Sequence, residues 1–182
     1  TYLALKKNIL NNKEKIIENL NDFEIDLKVK DGYTQVMLNN ENVSEDIRTV
    51  EVNNYVSDIS AIPEVREAML KLQRSMAAEN NIIAEGRDTG TAVFPDADIK
   101  IYFTASVEKR AERRFKEYQS KKQKVTFEEV KQNIIKRDQI DSGRSVSPLR
   151  KADDAIEIDT TDMTIQEEID FVLNKLNELT EF

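Results

Sequence analysis

Glu85-Gly86-Arg87-Asp88 sets three ionisable side chains around a glycine, directly after the apolar run Ile82-Ile83-Ala84. Thr89-Gly90-Thr91 follows, so this short stretch holds two of the four glycines in the chain. In open α/β sheets ligands bind beyond the carboxyl ends of the strands. Glycine lets the backbone approach a ligand closely. Arg87 can fork two donors onto a phosphate, and Asp88 can accept from an amine or a hydroxyl. The plainer alternative is a turn with a local Arg–Asp pair.

Three further groupings have types and spacings that suit an anionic ligand. Arg137, Asp141 and Arg144 recur at i, i+4, i+7, on one face of a helix or its continuation. Two arginines flanking a carboxylate can clamp a phosphate and a sugar together, or form an ordinary ion pair; Ser142-Gly143 weakens the helix there. Arg110, Arg113 and Arg114 lie close in sequence, and Arg110 and Arg114 share a face. They suit a second phosphate group or a solvated helix surface. Ser57 and Arg66 precede the first apolar run. An arginine can satisfy ring acceptors of a base, and a serine can take its amine protons.

Composition narrows the chemistry. The 182 residues contain no Cys and no His. Disulfides, thiolate chemistry and cysteine-ligated zinc are thereby excluded, and so is the commonest general base. Carboxylates, guanidinium groups, hydroxyls and a bound ion remain, which is the inventory of phosphoryl transfer. The net charge of −8 argues against general nucleic-acid binding. From Lys109 to Arg150, however, 13 Lys+Arg face 6 Asp+Glu, a local +7 that leaves −15 for the remainder. That stretch is either a local anion site or a salt-bridged helical face. No apolar run approaches the roughly 20 residues of a membrane helix, and no basic-then-apolar leader opens the chain, so a cytoplasmic location is expected.

The elements that must position these residues follow from periodicity. Leu3, Leu5, Ile9, Leu10, Ile16, Ile17 and Leu20 predict an opening helix. Phe23, Ile25, Leu27 and Val29 alternate with charged residues; Asp31-Gly32 and a second β-prone run, Thr34 to Asn39, complete a hairpin with one wet face. Two helices should follow, the second starting near Pro63 and keeping Val65, Met69, Leu72 and Met76 on one face. Ile82 to Ala84, Ile99 to Phe103 and Ala155 to Ile158 read as short buried strands. Helices are expected at Val107 to Tyr118 and Ile165 to Leu179, with capping boxes at Thr126-x-x-Glu129 and Thr164-x-x-Glu167. Buried strands alternating with helices predict a parallel α/β sheet.

With these segments assembled, the chain resembles a bacterial-type cytidylate kinase, a member of the P-loop nucleoside-monophosphate kinases. The likeness spans nearly all 182 residues. Val43-Ser44-Glu45-Asp46-Ile47-Arg48-Thr49 carries it, then Val56-Ser57 through Ile62-Pro63-Glu64-Val65-Arg66, then Ala84 through Ala97. Lys136-Arg137-Asp138 with Asp141 and Arg144, Ser147-Pro148-Leu149, and Ala152-Asp153-Asp154-Ala155 with Asp159-Thr160-Thr161 complete it. The resemblance implies a three-layer parallel-sheet core in a single kinase domain, residues 1–182. It also implies an inserted antiparallel monophosphate-binding lobe at 21–60 and a helical lid at 110–145. It implies transfer of the γ-phosphoryl of ATP, with Mg²⁺, to CMP or dCMP. Ser57, Arg66 and Asp88 would read cytosine, Arg87 and Arg144 would hold the acceptor phosphate, and Arg137 and Asp141 would meet the sugar. Arg87, Arg137 and Arg144 would be catalytic. Arg110, Arg113 and Arg114 would face the donor, and Glu85 would orient water around Mg²⁺. A monomer that binds neither nucleic acid nor membrane is expected.

One departure stands out. The family's G-x-x-x-x-G-K-[ST] loop is not among these residues: only Gly32, Gly86, Gly90 and Gly143 exist, and none opens a Gly-Lys pair. That loop cradles donor phosphates. The sequence therefore reads as an N-terminally truncated chain, without its first strand and P-loop and with little kinase activity alone. A nucleotide kinase of other base preference and a non-catalytic polyanion-binding module are the alternatives.

Overall fold

The computed structural model describes residues 1–78 and 81–180. The chain divides into two compact units, residues 1–82 with 143–146, and residues 83–142 with 147–182.

The first unit opens with α1 (Tyr2–Lys6) and α2 (Lys13–Glu18), two short helices where the periodicity predicts one. The break has a local cause. Asn8 takes a positive φ of 54°, its N–H bonds the carbonyl of Leu5, and the N–H of Ile9 bonds that of Ala4. This paired closure by a left-handed asparagine is a Schellman stop. Asn12 then caps α2, its Oδ1 accepting from Lys15 N at 2.9 Å. Ala4, Ile16, Ile59 and Val65 form the buried cluster of this unit, so both short helices reach the core despite the break.

The hairpin forms as the alternation requires. β1 (Ile25–Lys30) pairs antiparallel with β2 (Tyr33–Leu38), with Ile25 opposite Leu38 and Lys30 opposite Tyr33. Asp31 and Gly32 both have positive φ, 53° and 78°, the requirement of the two-residue turn whose twist matches the strands. Asn39 and Asn40 make a second such turn, at 50° and 67°, into β3 (Glu41–Asn42). The expected single wet face is not found. Leu27 is 49% and Val29 79% exposed. Only the base of the hairpin is covered, and the register carries those residues toward its solvated tip.

After a 3₁₀ turn at Asp46–Arg48 come α3 (Val50–Ser60) and α4 (Pro63–Ala77), packed on one another. Thr49 caps α3 by accepting from Val52 N, and Pro63 starts α4, where a missing N–H costs nothing.

The second unit holds β4 (Ile101–Thr104), α5 (Val107–Ser120), α6 (Phe127–Gly143), β5 (Ile156–Asp159) and α7 (Ile165–Thr180). β4 and β5 pair in parallel, Ile101 beside Ile156 and Thr104 beside Asp159. Ser106 caps α5, and both predicted capping boxes form. Glu129 accepts from Thr126 N and Oγ1 at 2.7 and 2.8 Å, and Glu167 from Thr164 N and Oγ1 at 2.8 Å each. Phe115 of α5 meets Phe127 of α6 edge to face, with centroids 6.0 Å apart.

The predicted strand Ile82-Ile83-Ala84 is corrected: it has no regular structure, and Ile83 is 96% exposed. A strand exists only through a hydrogen-bonded neighbour, and β4 and β5 are the only strands of their sheet among the described residues. No helix among the described residues is long and apolar enough to cross a membrane.

Candidate active site

Asp88 is where the unstructured segment turns. Its carbonyl accepts from Ala92 N at 2.8 Å and, more weakly, from Thr91 N and Val93 N at 3.2 and 3.3 Å, and the single wide turn Thr89–Val93 results. The turn buries Asp88 to 7% exposure while Glu85 and Gly86 stay exposed. Gly90 has a packing reason: a Cβ there would sit 3.3 Å from Lys100 Cδ.

Arg87 emerges just before this turn and reaches α6. Its Nη1 donates to Asp138 Oδ1 at 2.8 Å, and its Nε lies 3.5 Å from Asp141 Oδ2. Asp141 is 2% exposed. From α5, Arg110 donates through Nη1 to Asp138 Oδ2 at 2.7 Å and through Nε to the carbonyl of Ala105 at 3.1 Å. Arg137 lies on the same helix as Asp138 and Asp141. Burial pushes its guanidinium below the ordinary arginine value, the charges of Arg87 and Arg114 push the same way, and Asp141 opposes them. Guanidinium groups of Arg87 and Arg110 therefore meet on Asp138, and those of Arg87 and Arg137 lie near Asp141, so cations gather about two carboxylates.

The remaining candidates separate. Arg113 is committed to its own unit: it donates to the carbonyls of Thr160 at 2.7 Å and Met163 at 3.1 Å, and pairs with Glu168 at 3.1 Å. It fastens the start of α7. Arg114 reaches Glu117 at 3.1 Å on its own helix. Ser57 of α3 and Arg66 of α4 belong to the first unit, and so does Arg144, which follows the last residue of α6 and is buried. Ser57 is 3% exposed, and its Oγ has no hydrogen-bond partner among the described residues. Such a hydroxyl costs about 1–3 kcal/mol of stability. Sequence reasoning gave Asp138 no role. The signal was its place between Arg137 and Asp141, but only the fold reveals that residues 87 and 110 meet on it.

A family model described as cytidylate kinase matches residues 1–178. The chain belongs to the cytidylate kinase family. It is 45% identical over 178 residues to the cytidylate kinase of Clostridioides difficile strain 630, covering 97% of this chain and 81% of that one. It is 42% identical to the cytidylate kinase of Flavobacterium psychrophilum, covering 98% and 82%. A third, from Listeria monocytogenes serotype 4a, is 46% identical, covering 100% and 79%. Membership makes the chain a phosphotransferase of the nucleoside-monophosphate kinase type, with a P-loop kinase α/β fold. The parallel β4–β5 pair is the part of that α/β fold described above.

Proposed function

We propose that this cytidylate kinase moves the γ-phosphoryl of ATP onto CMP or dCMP, and that its own residues divide the acceptor between them. The observation that carries the reading is the junction of Arg87 with Asp138 and Asp141. It brings the Gly86-Arg87-Asp88 segment to the helix that bears Arg137. Arg87 and Arg144 hold the acceptor phosphate, where forked, charge-assisted hydrogen bonds suit three equivalent oxygens. Ser57, Arg66 and Asp88 read cytosine: carboxylate and hydroxyl accept from the exocyclic amine, and the guanidinium donates to the ring acceptors. Arg137 and Asp141 meet the sugar, with Asp141 accepting from a ribose hydroxyl. Arg110 and Arg114 face the donor phosphates, while Arg113 holds α7 in place.

No covalent intermediate and no histidine base is needed, because positioning and charge neutralisation carry phosphoryl transfer. An oxygen of the bound CMP phosphate attacks the γ-phosphorus, the bond to the β-bridging oxygen breaks, and CDP and ADP result. Residues 110–145 act as the lid that excludes water, so that the acceptor and not solvent attacks. Among the described residues no cluster of three or more carboxylates could cage a metal. Mg²⁺ keeps its waters and travels on substrate phosphates with one or two carboxylates at most, and Glu85 would orient such water. The ion would neutralise charge on the donor phosphates.

The test is a panel of CMP, dCMP, UMP, AMP and GMP with ATP and Mg²⁺ in an ADP-release assay on the protein supplied with an upstream G-x-x-x-x-G-K-[ST] segment, alongside calorimetric titration of each monophosphate on the 182-residue chain. CMP and dCMP should lead in both. Equal turnover and equal affinity across the panel would remove the cytidine assignment.

A further inference from the structure

Asp138 is the point on which two arginines from different elements converge. Its Oδ1 takes Arg87 Nη1 at 2.8 Å and its Oδ2 takes Arg110 Nη1 at 2.7 Å. One carboxylate thus serves two guanidinium groups, an oxygen for each. The three side chains are partly withdrawn from solvent, Asp138 at 27%, Arg87 at 34% and Arg110 at 32% exposure. The second contacts differ: Arg87 Nε faces Asp141 Oδ2 at 3.5 Å, and Arg110 Nε donates to the Ala105 carbonyl at 3.1 Å. Asp138 is the contact the two arginines share. Its own backbone is fixed by α6, where its carbonyl accepts from Ser142 Oγ at 2.6 Å.

Resting on the reading of Arg87 as an acceptor-phosphate residue, we infer that Asp138 is a positioning residue that yokes Arg87 to Arg110, setting the acceptor-side and lid-side guanidinium groups as a pair before substrate arrives. An unrestrained arginine carries rotamer entropy that is lost when it binds. A carboxylate that holds it in place removes part of that cost from ligand binding. The geometry also makes the two arginines dependent on one another, since whatever turns Arg87 toward a phosphate changes the carboxylate on which Arg110 rests. Asparagine cannot replace this function. Its amide offers one acceptor oxygen and turns an NH₂ donor toward the second guanidinium. An exposed ion pair of no consequence would instead leave ligand binding unchanged when lost.

The experiment has a ligand-free arm and a ligand arm, both on the 182-residue chain. With ¹⁵N-labelled arginine, Asp138→Asn should shift the Nε–Hε resonances of both Arg87 and Arg110 and leave that of Arg66 unmoved. Resonances of Arg87 and Arg110 that stay in place overturn the yoke whatever the ligand does. In calorimetric titrations the wild type should bind CMP more tightly than cytidine. Asp138→Asn should weaken CMP by about 10-fold, the scale of one charge-assisted hydrogen bond, and leave cytidine unchanged. Arg110→Ala should give a smaller loss, and Arg110→Ala added to Asp138→Asn should do no further harm. Equal weakening of CMP and cytidine marks a fold defect and overturns the inference, as does unaltered CMP affinity. A wild type that binds CMP no better than cytidine, with the resonance shifts intact, instead removes the phosphate role of Arg87 and the use proposed here for the yoke.

Discussion

The two units solve different problems with different chemistry. In residues 1–82 two of the three candidate base readers, Ser57 and Arg66, sit on two packed helices, α3 and α4, and the buried Ser57 hydroxyl lacks a partner among the described residues. In residues 83–142 the candidate phosphate residues are already paired, Arg87 and Arg110 with Asp138, and Arg87 with Asp141. The contrast follows from the cost of burial. A neutral hydroxyl can be left unsatisfied for about 1–3 kcal/mol, whereas an unpaired buried charge costs several times more and must be neutralised within the protein. Selectivity can therefore be held in reserve as an unmet hydrogen bond. Charge recognition must be built as an ion network that the ligand enters.

The largest effect should come from breaking the charge side. Arg87→Met removes the residue that ties the Gly86 segment to α6 and, on the proposed reading, two charged hydrogen bonds to the acceptor phosphate. CMP affinity should fall about 10²- to 10³-fold, with the loss confined to phosphorylated ligands. Titration of CMP against cytidine checks this, and equal losses for both would move Arg87 from the phosphate to the scaffold. Next comes Arg66→Met on the base-reading side, which, in the protein supplied with an upstream G-x-x-x-x-G-K-[ST] segment, should raise the CMP KM or lower kcat/KM by about 10–100-fold, the scale of one lost charged hydrogen bond. Wild-type kinetics would take Arg66 out of the site.

A smaller change sharpens the comparison most. Ser57→Ala deletes a hydroxyl that is buried without a partner, so it removes no hydrogen bond from the ligand-free protein. The thermal midpoint should hold or rise by a degree or two, while CMP affinity falls about 5- to 10-fold. A lowered midpoint would mean that the hydroxyl has structural work in the free protein. No such separation is expected at Arg87, whose removal leaves Asp138 and Asp141 facing one another with one fewer cation.

How much of this could be read from the chain alone depended on the range of the interaction. The Asp31-Gly32 turn, the Ser106 cap and both Thr-x-x-Glu boxes are settled within four residues, and the sequence carries them directly. The predicted opening helix divides in two because hydrophobic period does not register a local stop: Asn8 and Asn12 close and reopen the helix without disturbing the apolar face. Ile82 to Ala84 departs from the predicted strand for the opposite reason, since an apolar run becomes a strand only if a neighbour pairs with it. That Arg137 and Asp141 share α6 is legible from their spacing. The pairing of Asp138 is not, because its partners lie 51 and 28 residues away and nothing at position 138 announces them. The same distance hid the commitment of Arg113 to Thr160.

The smallest effect concerns acid, and it also divides the units. Among the described carboxylates held below their ordinary values, Glu108, Glu129, Asp154, Asp159 and Glu167 belong to the second unit and Glu64 alone to the first. For Glu129 and Glu167 the leading cause is the backbone N–H of Thr126 or Thr164, followed by the threonine hydroxyl. A carboxylate whose folded pKa lies below its unfolded one contributes stability that is fully present above the unfolded value and is lost as pH falls through the folded value. The loss should therefore begin as pH drops below the ordinary glutamate value of 4.5, and it should begin in the second unit. Hydrogen exchange corrected for intrinsic rates, followed from neutral pH down to about pH 3.5, should show α6 and α7 opening before α3 and α4. Thr126→Ala with Thr164→Ala should lower stability at neutral pH by about 1 kcal/mol per cap. Because each glutamate loses its hydroxyl donor, the acid dependence of α6 and α7 should become shallower. Protection lost first from α3 and α4, or an unchanged acid slope in the double variant, would show that the acid response arises elsewhere than in the capping boxes that hold the charge-bearing helix in place.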